Sequence, residues 1–230
     1  MLTEVELTRL KSAMEYCYSV PFIDDVEDYI FESIWAYVKG IPIENSLART
    51  KKLFDVVDTR ENIGWSAKTL VLNSRTASTC EFVIQRADVF KKAEELGFPG
   101  LKETSDPQEI GNAVLEHWHQ KVEQDSTSQN IDNRRLVILL KNSTRTEFQI
   151  IEELLTVPQH EELKWSWTNE LKLGLQAVRL SDEFVIFRWY RNQKQLFERI
   201  KISKDMASFS IAPKNIDPAS IIEKFHHSHH

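Results

Sequence analysis

Phe54-Asp55-Val56-Val57-Asp58-Thr59-Arg60-Glu61-Asn62-Ile63-Gly64-Trp65-Ser66-Ala67-Lys68-Thr69 is the stretch on which the fold turns. Leu53 to Asp58 reads as a short strand, Thr59 to Asn62 as a polar turn, and Trp65 to Leu72 as a second strand rich in β-formers after Lys68. Two strands this close in sequence pair as an antiparallel hairpin. Asp55 is a carboxylate among apolar strand residues. Burying it unpaired is costly, so it calls for a metal or a cation beside it. Ser66 and Lys68 are two apart on a strand and share a face, which a hairpin sets beside Asp55.

Working outward, residues 3–19 have the periodicity of an amphipathic helix, with Leu7, Leu10, Met14 and Cys17 on one stripe and Pro21 beyond its end. A second helix is predicted from Asp24 to about Lys39, stopped by Gly40 and Pro42, with Asp24 and Glu27 at capping-box spacing. Its buried stripe is Ile30, Phe31, Ile34 and Val38. After the hairpin, Phe82, Val83, Ala87, Phe90, Ala93 and Leu96 give helical spacing over 79–96, and Gly97 closes that segment. Ser105-Asp106-Pro107 opens another helix, running to about Glu123, and 125–133 is polar loop. Leu136 to Leu140 is a continuous apolar run, the mark of a central strand covered on both faces. Residues 147–155 fit helix or strand. Phe184–Tyr190 and Gln195–Ile202 flank the polar turn Arg191-Asn192-Gln193-Lys194 and form a hairpin. Trp165 and Trp167 share a face of a further strand, where a structural role outweighs base stacking. The order is helix, strand, strand, helix, strand, then more β. It predicts an α/β core with a β-rich C-terminal region.

The 230 residues are 41% hydrophobic and 28% charged, which supports one substantial core, taken as a single domain over 1–225. Residues 226–230, His-His-Ser-His-His, have the character of an engineered tag. No apolar run approaches the ~20 residues of a membrane span. The first residues lack the basic-then-apolar pattern of a signal peptide. Cys17 and Cys80 each lie in an apolar pattern, which fits a reducing cytoplasm better than a disulfide framework. A net charge of −6 argues against a protein that merely coats nucleic acid, but not against one that gathers cations in a cleft. His117-x-His119 lacks the i, i+4 spacing of a helical zinc pair, and no P-loop, GxSxG or CxxC is present.

A helix, an Asp on one strand, Ser66-Ala67-Lys68 on the next, and a following helix resemble the core order of the PD-(D/E)XK nucleases, whose second strand carries acid-x-Lys, over roughly residues 24–96 and the strand at 136–140. Asp55 matches the family's Asp and Lys68 its Lys. The resemblance implies a restriction-endonuclease-like core of helix, mixed central sheet and helix. It implies Mg²⁺ as the cofactor, held by Asp55 and a second acid, with Lys68 positioning or activating the attacking water. Ser66 stands where the family's second acid belongs and is a poor metal ligand. Some restriction enzymes with Ser-x-Lys take that acid from the preceding helix, and Glu27 and Glu32 are the candidates, with a capping role for Glu27 and a solvated one for Glu32 as alternatives. Hydrolysis of a phosphodiester needs an activated water and stabilised negative charge, which hard-oxygen-ligated Mg²⁺ and an ammonium supply.

Cations for DNA contact are Arg49, Lys51 and Lys52 ahead of the first strand, and Arg188, Arg191, Lys194 and Arg199 on the C-terminal hairpin, whose polar tip would enter the major groove. The function expected is a cytoplasmic type II restriction endonuclease on double-stranded DNA. It would be a homodimer, because a palindrome cut on both strands calls for two sites related by a two-fold axis, and would be accompanied by a cognate DNA methyltransferase. A repair or recombination nuclease of the same superfamily is the nearest alternative. A non-catalytic α/β DNA-binding or regulatory protein is the alternative of another class.

Overall fold

The computed structural model describes residues 2–42, 52–72, 77–203, 206–214 and 216–217. The chain divides into two compact units. The first comprises residues 1–76, 129–155 and 204–230, and the second residues 77–128 and 156–203.

The first unit carries a five-stranded sheet and two helices. Helix α1 (Glu4–Ser19) begins at a capping box in which the Thr3 hydroxyl accepts from the Glu6 amide and the Glu6 carboxylate accepts from Thr3 N–H. Helix α2 (Asp28–Lys39) ends at Gly40, whose φ of 68° is the left-handed conformation that glycine adopts without penalty. The strands are β1 (Val56–Asp58), β2 (Ile63–Leu72), β4 (Asn133–Asn142), β5 (Glu147–Leu154) and β10 (Ala207–Ser210), in the order β1-β2-β4-β5-β10. Only the β2–β4 pair is parallel, with Ser66 opposite Leu136 and Lys68 opposite Ile138. One face of this sheet packs Trp65, Ala67, Val137, Leu139, Phe148 and Ile150 against Phe31, Ile34, Trp35 and Val38 of α2 and Leu10 and Met14 of α1. Alternation puts Ser66, Lys68, Leu136 and Ile138 on the other face.

The second unit carries β3 (Thr79–Arg86), α3 (Pro107–Gln129, its last residue counted with the first unit), β6 (Leu163–Trp167), β7 (Gly174–Arg179), β8 (Phe184–Tyr190) and β9 (Gln195–Lys201). Its sheet is wholly antiparallel, in the order β3-β9-β8-β7-β6. Trp165 lies on the bare backbone of Gly111, where a Cβ would come within 2.1 Å of the indole. That contact explains a glycine inside a helix, where alanine is otherwise favoured by about 1 kcal/mol.

Three expectations change. Residues 79–86 are strand and 87–100 form turns, so no helix follows the β1–β2 hairpin directly; α3 takes that place in chain order. Helix α3 continues to Gln129, through residues expected to loop. Helix α2 begins at Asp28 rather than Asp24, with Glu27 as an N-cap that makes no side-chain hydrogen bond. The cause of the late start is long-range. Asp25 accepts from the Tyr18 hydroxyl (2.9 Å) and from Lys141 Nζ (2.9 Å), while Lys141 also donates to the carbonyl of the fully buried Val26. This network draws 25–26 against the sheet and out of helical conformation.

Lys141 is only 3% exposed, whereas the Asp25 side chain is 23% exposed, so the pair is asymmetric. Asp25→Asn is expected to cost about 3 kcal/mol, because it leaves a buried ammonium without its counter-charge. Lys141→Met is expected to cost less, since the Asp25 carboxylate keeps Tyr18 and Arg145. Chemical denaturation of the two variants checks the order. Burial raises the Asp25 pKa, but the hydrogen bonds and charges of Lys141, Tyr18 and Arg145 outweigh it and hold the carboxyl below its ordinary value. The stability it contributes is therefore present above the unfolded carboxyl pKa of ~3.9 and lost as pH falls through the lower folded value.

Candidate functional site along strand β2

Strand β1 is three residues long and β2 is ten, so among the described residues β1 covers only the first part of this β2 edge. Asp55 lies immediately before β1, where its amide donates to the Trp65 carbonyl (2.9 Å) and carries the pairing one residue further. There its side chain turns onto the edge. Asp55 Oδ2 accepts from the Ala67 amide at 2.9 Å and stands 3.9 Å from Lys68 Nζ. Both side chains are partly covered, 20% exposed for Asp55 and 24% for Lys68. Asp55 and Lys68, paired on sequence grounds, are thus together in the fold.

The next amide on this side of β2, that of Thr69, is capped by Asp28. Asp28 Oδ1 accepts from Thr69 N–H at 2.7 Å and from the Thr69 hydroxyl at 2.9 Å. Asp28 is the first residue of α2, and an acid there reads as an ordinary partner of the helix dipole. The only sequence signal for a site role was its place on the helix ahead of the hairpin. Two carboxylates therefore cap amides two residues apart on one strand, about 7 Å along it, on either side of the Lys68 backbone.

The other candidates are placed as follows. Ser66 is 2% exposed and shares the Lys68 face. Glu27 is exposed at the N-cap of α2, and Glu32 is half-buried within that helix, which packs on the sheet face opposite Lys68. Asp58 holds the hairpin turn: both its oxygens take the Arg60 guanidinium and one also takes the Arg60 amide, at 2.9–3.0 Å. These hydrogen bonds hold the Asp58 carboxyl below its usual range. The turn is tied down at Asn62, in the left-handed region at φ 51°, whose carbonyl accepts from the amides of Asp132 and Asn133.

Gly64 fixes the approach to the site. A Cβ there would lie 2.3 Å from Ile131 Cδ1 and 2.8 Å from the Phe54 ring, next to Asp55. Gly64→Ala is expected to destabilise by about 1–3 kcal/mol through overpacking. By shifting Phe54 it should also lower any activity that depends on Asp55, measured as melting temperature and rate on the same preparation.

Of the cations expected to meet DNA, Arg49 and Lys51 lie outside the described residues, and Lys52 is half-buried ahead of β1. In the second unit, Arg191 pairs with Glu103 and Lys194 with Asp88, so both cations of the β8–β9 tip are engaged within the chain. Arg188 and Arg199 share Glu81, each at 3.3 Å.

Among the described residues, no three His, Cys, Asp or Glu side chains group as a metal cage. Among the described residues, the carboxylates that cap this side of β2 are those of Asp55 and Asp28. That set suits Mg²⁺, which prefers hard oxygen, keeps several waters and is commonly held by one or two carboxylates. Among the described residues no helix is long and apolar enough to cross a membrane. No protein-family model, no curated protein and no solved structure matches the chain.

Proposed function

We propose that the chain is a Mg²⁺-dependent endonuclease of the PD-(D/E)XK kind that hydrolyses phosphodiester bonds of double-stranded DNA, working as a homodimeric type II restriction enzyme in the cytoplasm beside a methyltransferase of the same specificity. The observation that carries this reading is the 3.9 Å approach of the Asp55 carboxylate to the Lys68 ammonium at the β1–β2 hairpin. A hairpin, a parallel β2–β4 pair and a helix between those two strands in chain order support it. In this reading Asp55 and Asp28 would hold Mg²⁺, which when bound supplies Lewis acidity toward the phosphate. Lys68 orients the attacking water and offsets charge on the phosphate oxygens. The backbone amides of Ala67 and Thr69 hold the two carboxylates in place before substrate arrives, so little reorganisation is needed.

A second reading has its own observation. Ser66 is buried and supplies no carboxylate, which suits a binding protein whose Asp55–Lys68 pair is structural. Supercoiled plasmid incubated with the chain and Mg²⁺, with Mn²⁺, and with chelator decides between them. The nuclease reading expects metal-dependent conversion to discrete linear fragments. A smear would indicate a repair or recombination nuclease, and intact plasmid in every lane would leave the binding reading.

A further inference from the structure

The outer face of the second unit's sheet carries a pattern that the β2 edge does not use. Trp165, Ala177, Phe187, Trp189, Leu196 and Cys80 mark its inner, buried face. The register then places Arg86, Gln195 and Tyr190 in one outward row, Val83, Phe197, Arg188, Gln176 and Ser166 in the next, and Glu81 and Arg199 in a third. Lys164 and Lys201 point outward at two corners. Five cations (Arg86, Lys164, Arg188, Arg199 and Lys201) thus face outward with one carboxylate, Glu81, among the described residues of these strands. The β7–β8 turn adds Asp182 and Glu183, and Arg179 at the end of β7 pairs with Asp182, so the excess persists. It stands out in a chain of net charge −6.

Two further details concern what this face would hold. Tyr190 and Phe197 meet edge to face with ring centroids 5.3 Å apart, in the middle of the cationic positions, and Arg188 lies across from Phe197. Glu81 takes Arg188 Nη1 at 3.3 Å and so holds the guanidinium on this face. Val83 beside them is exposed, so the ring pair is bordered by open apolar surface. Aromatic rings flanked by guanidinium and ammonium groups on an antiparallel sheet suit a strand whose bases are unstacked. The rings take base faces and the cations take phosphates. A duplex would present its phosphates to the cations but nothing to the rings.

We propose that this face binds single-stranded nucleic acid. The proposal does not depend on cleavage at Asp55 and Lys68. Binding is measured with the full chain in chelator, so failure of the nuclease reading leaves the result unaffected. Fluorescence anisotropy compares a labelled 20-nucleotide pyrimidine strand, its blunt duplex, and anionic phospholipid vesicles as a competitor. The single strand is expected to bind at least tenfold more tightly than the duplex. Phe197→Leu and Tyr190→Leu should weaken it about tenfold with little change in salt dependence, as loss of stacking does. Arg188→Gln, and separately Arg86→Gln and Lys164→Gln at exposed positions with no fold to lose, should lower the slope of log affinity against log salt by roughly 0.7 per contact removed. The proposal is overturned if duplex and single strand bind equally. It is also overturned if the aromatic variants match the parent while keeping its melting temperature, or if vesicles displace the strand at equal phosphate concentration.

Discussion

Lys68→Ala should lower plasmid cleavage by about a hundred- to a thousandfold, the usual consequence of removing one donor from a site where charge develops. The substitution should leave the fold almost untouched. The Lys68 ammonium is 3.9 Å from Asp55 and both side chains are partly solvated, so the pair contributes roughly 0–1 kcal/mol to stability. The backbone on either side is independently secured, by the Ala67 and Thr69 hydrogen bonds and by the long parallel pairing of β2 with β4. Rate and stability therefore part company in this variant, and that separation is the informative result. A merely structural ion pair predicts the reverse: a small drop in melting temperature and an unchanged rate. Lys68→Arg sharpens the test. It retains the charge but replaces a compact ammonium with a planar fork, so it should recover stability fully and cleavage only in part. Near-parental cleavage by Lys68→Ala would remove Lys68 from the reaction.

What could be read in the sequence was whatever local chemistry alone determines. The run Leu136–Leu140 is apolar at every position because both faces of β4 are buried, so no other pattern was available to it. The β8–β9 hairpin and the β1–β2 hairpin announced themselves by their turns, and the approach of Asp55 to Lys68 followed from that hairpin. What was misread depends on partners distant in sequence. Strand β3 has helical spacing in the sequence only because Phe82 and Val83 fall in line with Ala87, Phe90, Ala93 and Leu96, whereas the strand ends at Arg86 and the later positions of that stripe lie in turns; the register also slips between Val83 and Gln85 where β3 pairs with β9. A bulge breaks the two-residue period. The start of α2 was misjudged because Asp25 answers to Lys141, more than a hundred residues away. Asp28 was passed over for the same kind of reason: its partner, Thr69, is reached only when α2 lies along the hairpin.

The second acid is the sharpest remaining question, and asparagine substitutions address it cleanly. Asp55→Asn and Asp28→Asn each keep an oxygen able to accept the Ala67 or Thr69 amide. They remove the charge while preserving the hydrogen bond, at a cost to stability of about 1 kcal/mol, the difference between a charged and a neutral acceptor. A site with two carboxylates has little capacity to spare. Either variant should lower cleavage by about a hundredfold, roughly 3 kcal/mol, and shift the Mg²⁺ requirement upward. Asp58→Asn should change the rate little, since both of its oxygens serve Arg60 in the turn. Glu27→Gln and Glu32→Gln are the necessary comparison. If one of them reproduces Asp55→Asn while Asp28→Asn retains parental activity, the helix contributes a different acid from the one that touches β2, and Asp28 is a strand-edge cap alone. Ser66→Glu is not expected to rescue Asp28→Asn efficiently. Ser66 is nearly sealed from solvent opposite Leu136, so a glutamate there must bury both added volume and charge before it can reach the edge. The same Mg²⁺ titration, run on the five single variants and the double variant, separates these outcomes. Asp55 and Asp28 should move the midpoint together, and no other acid on the hairpin or α2 should follow them.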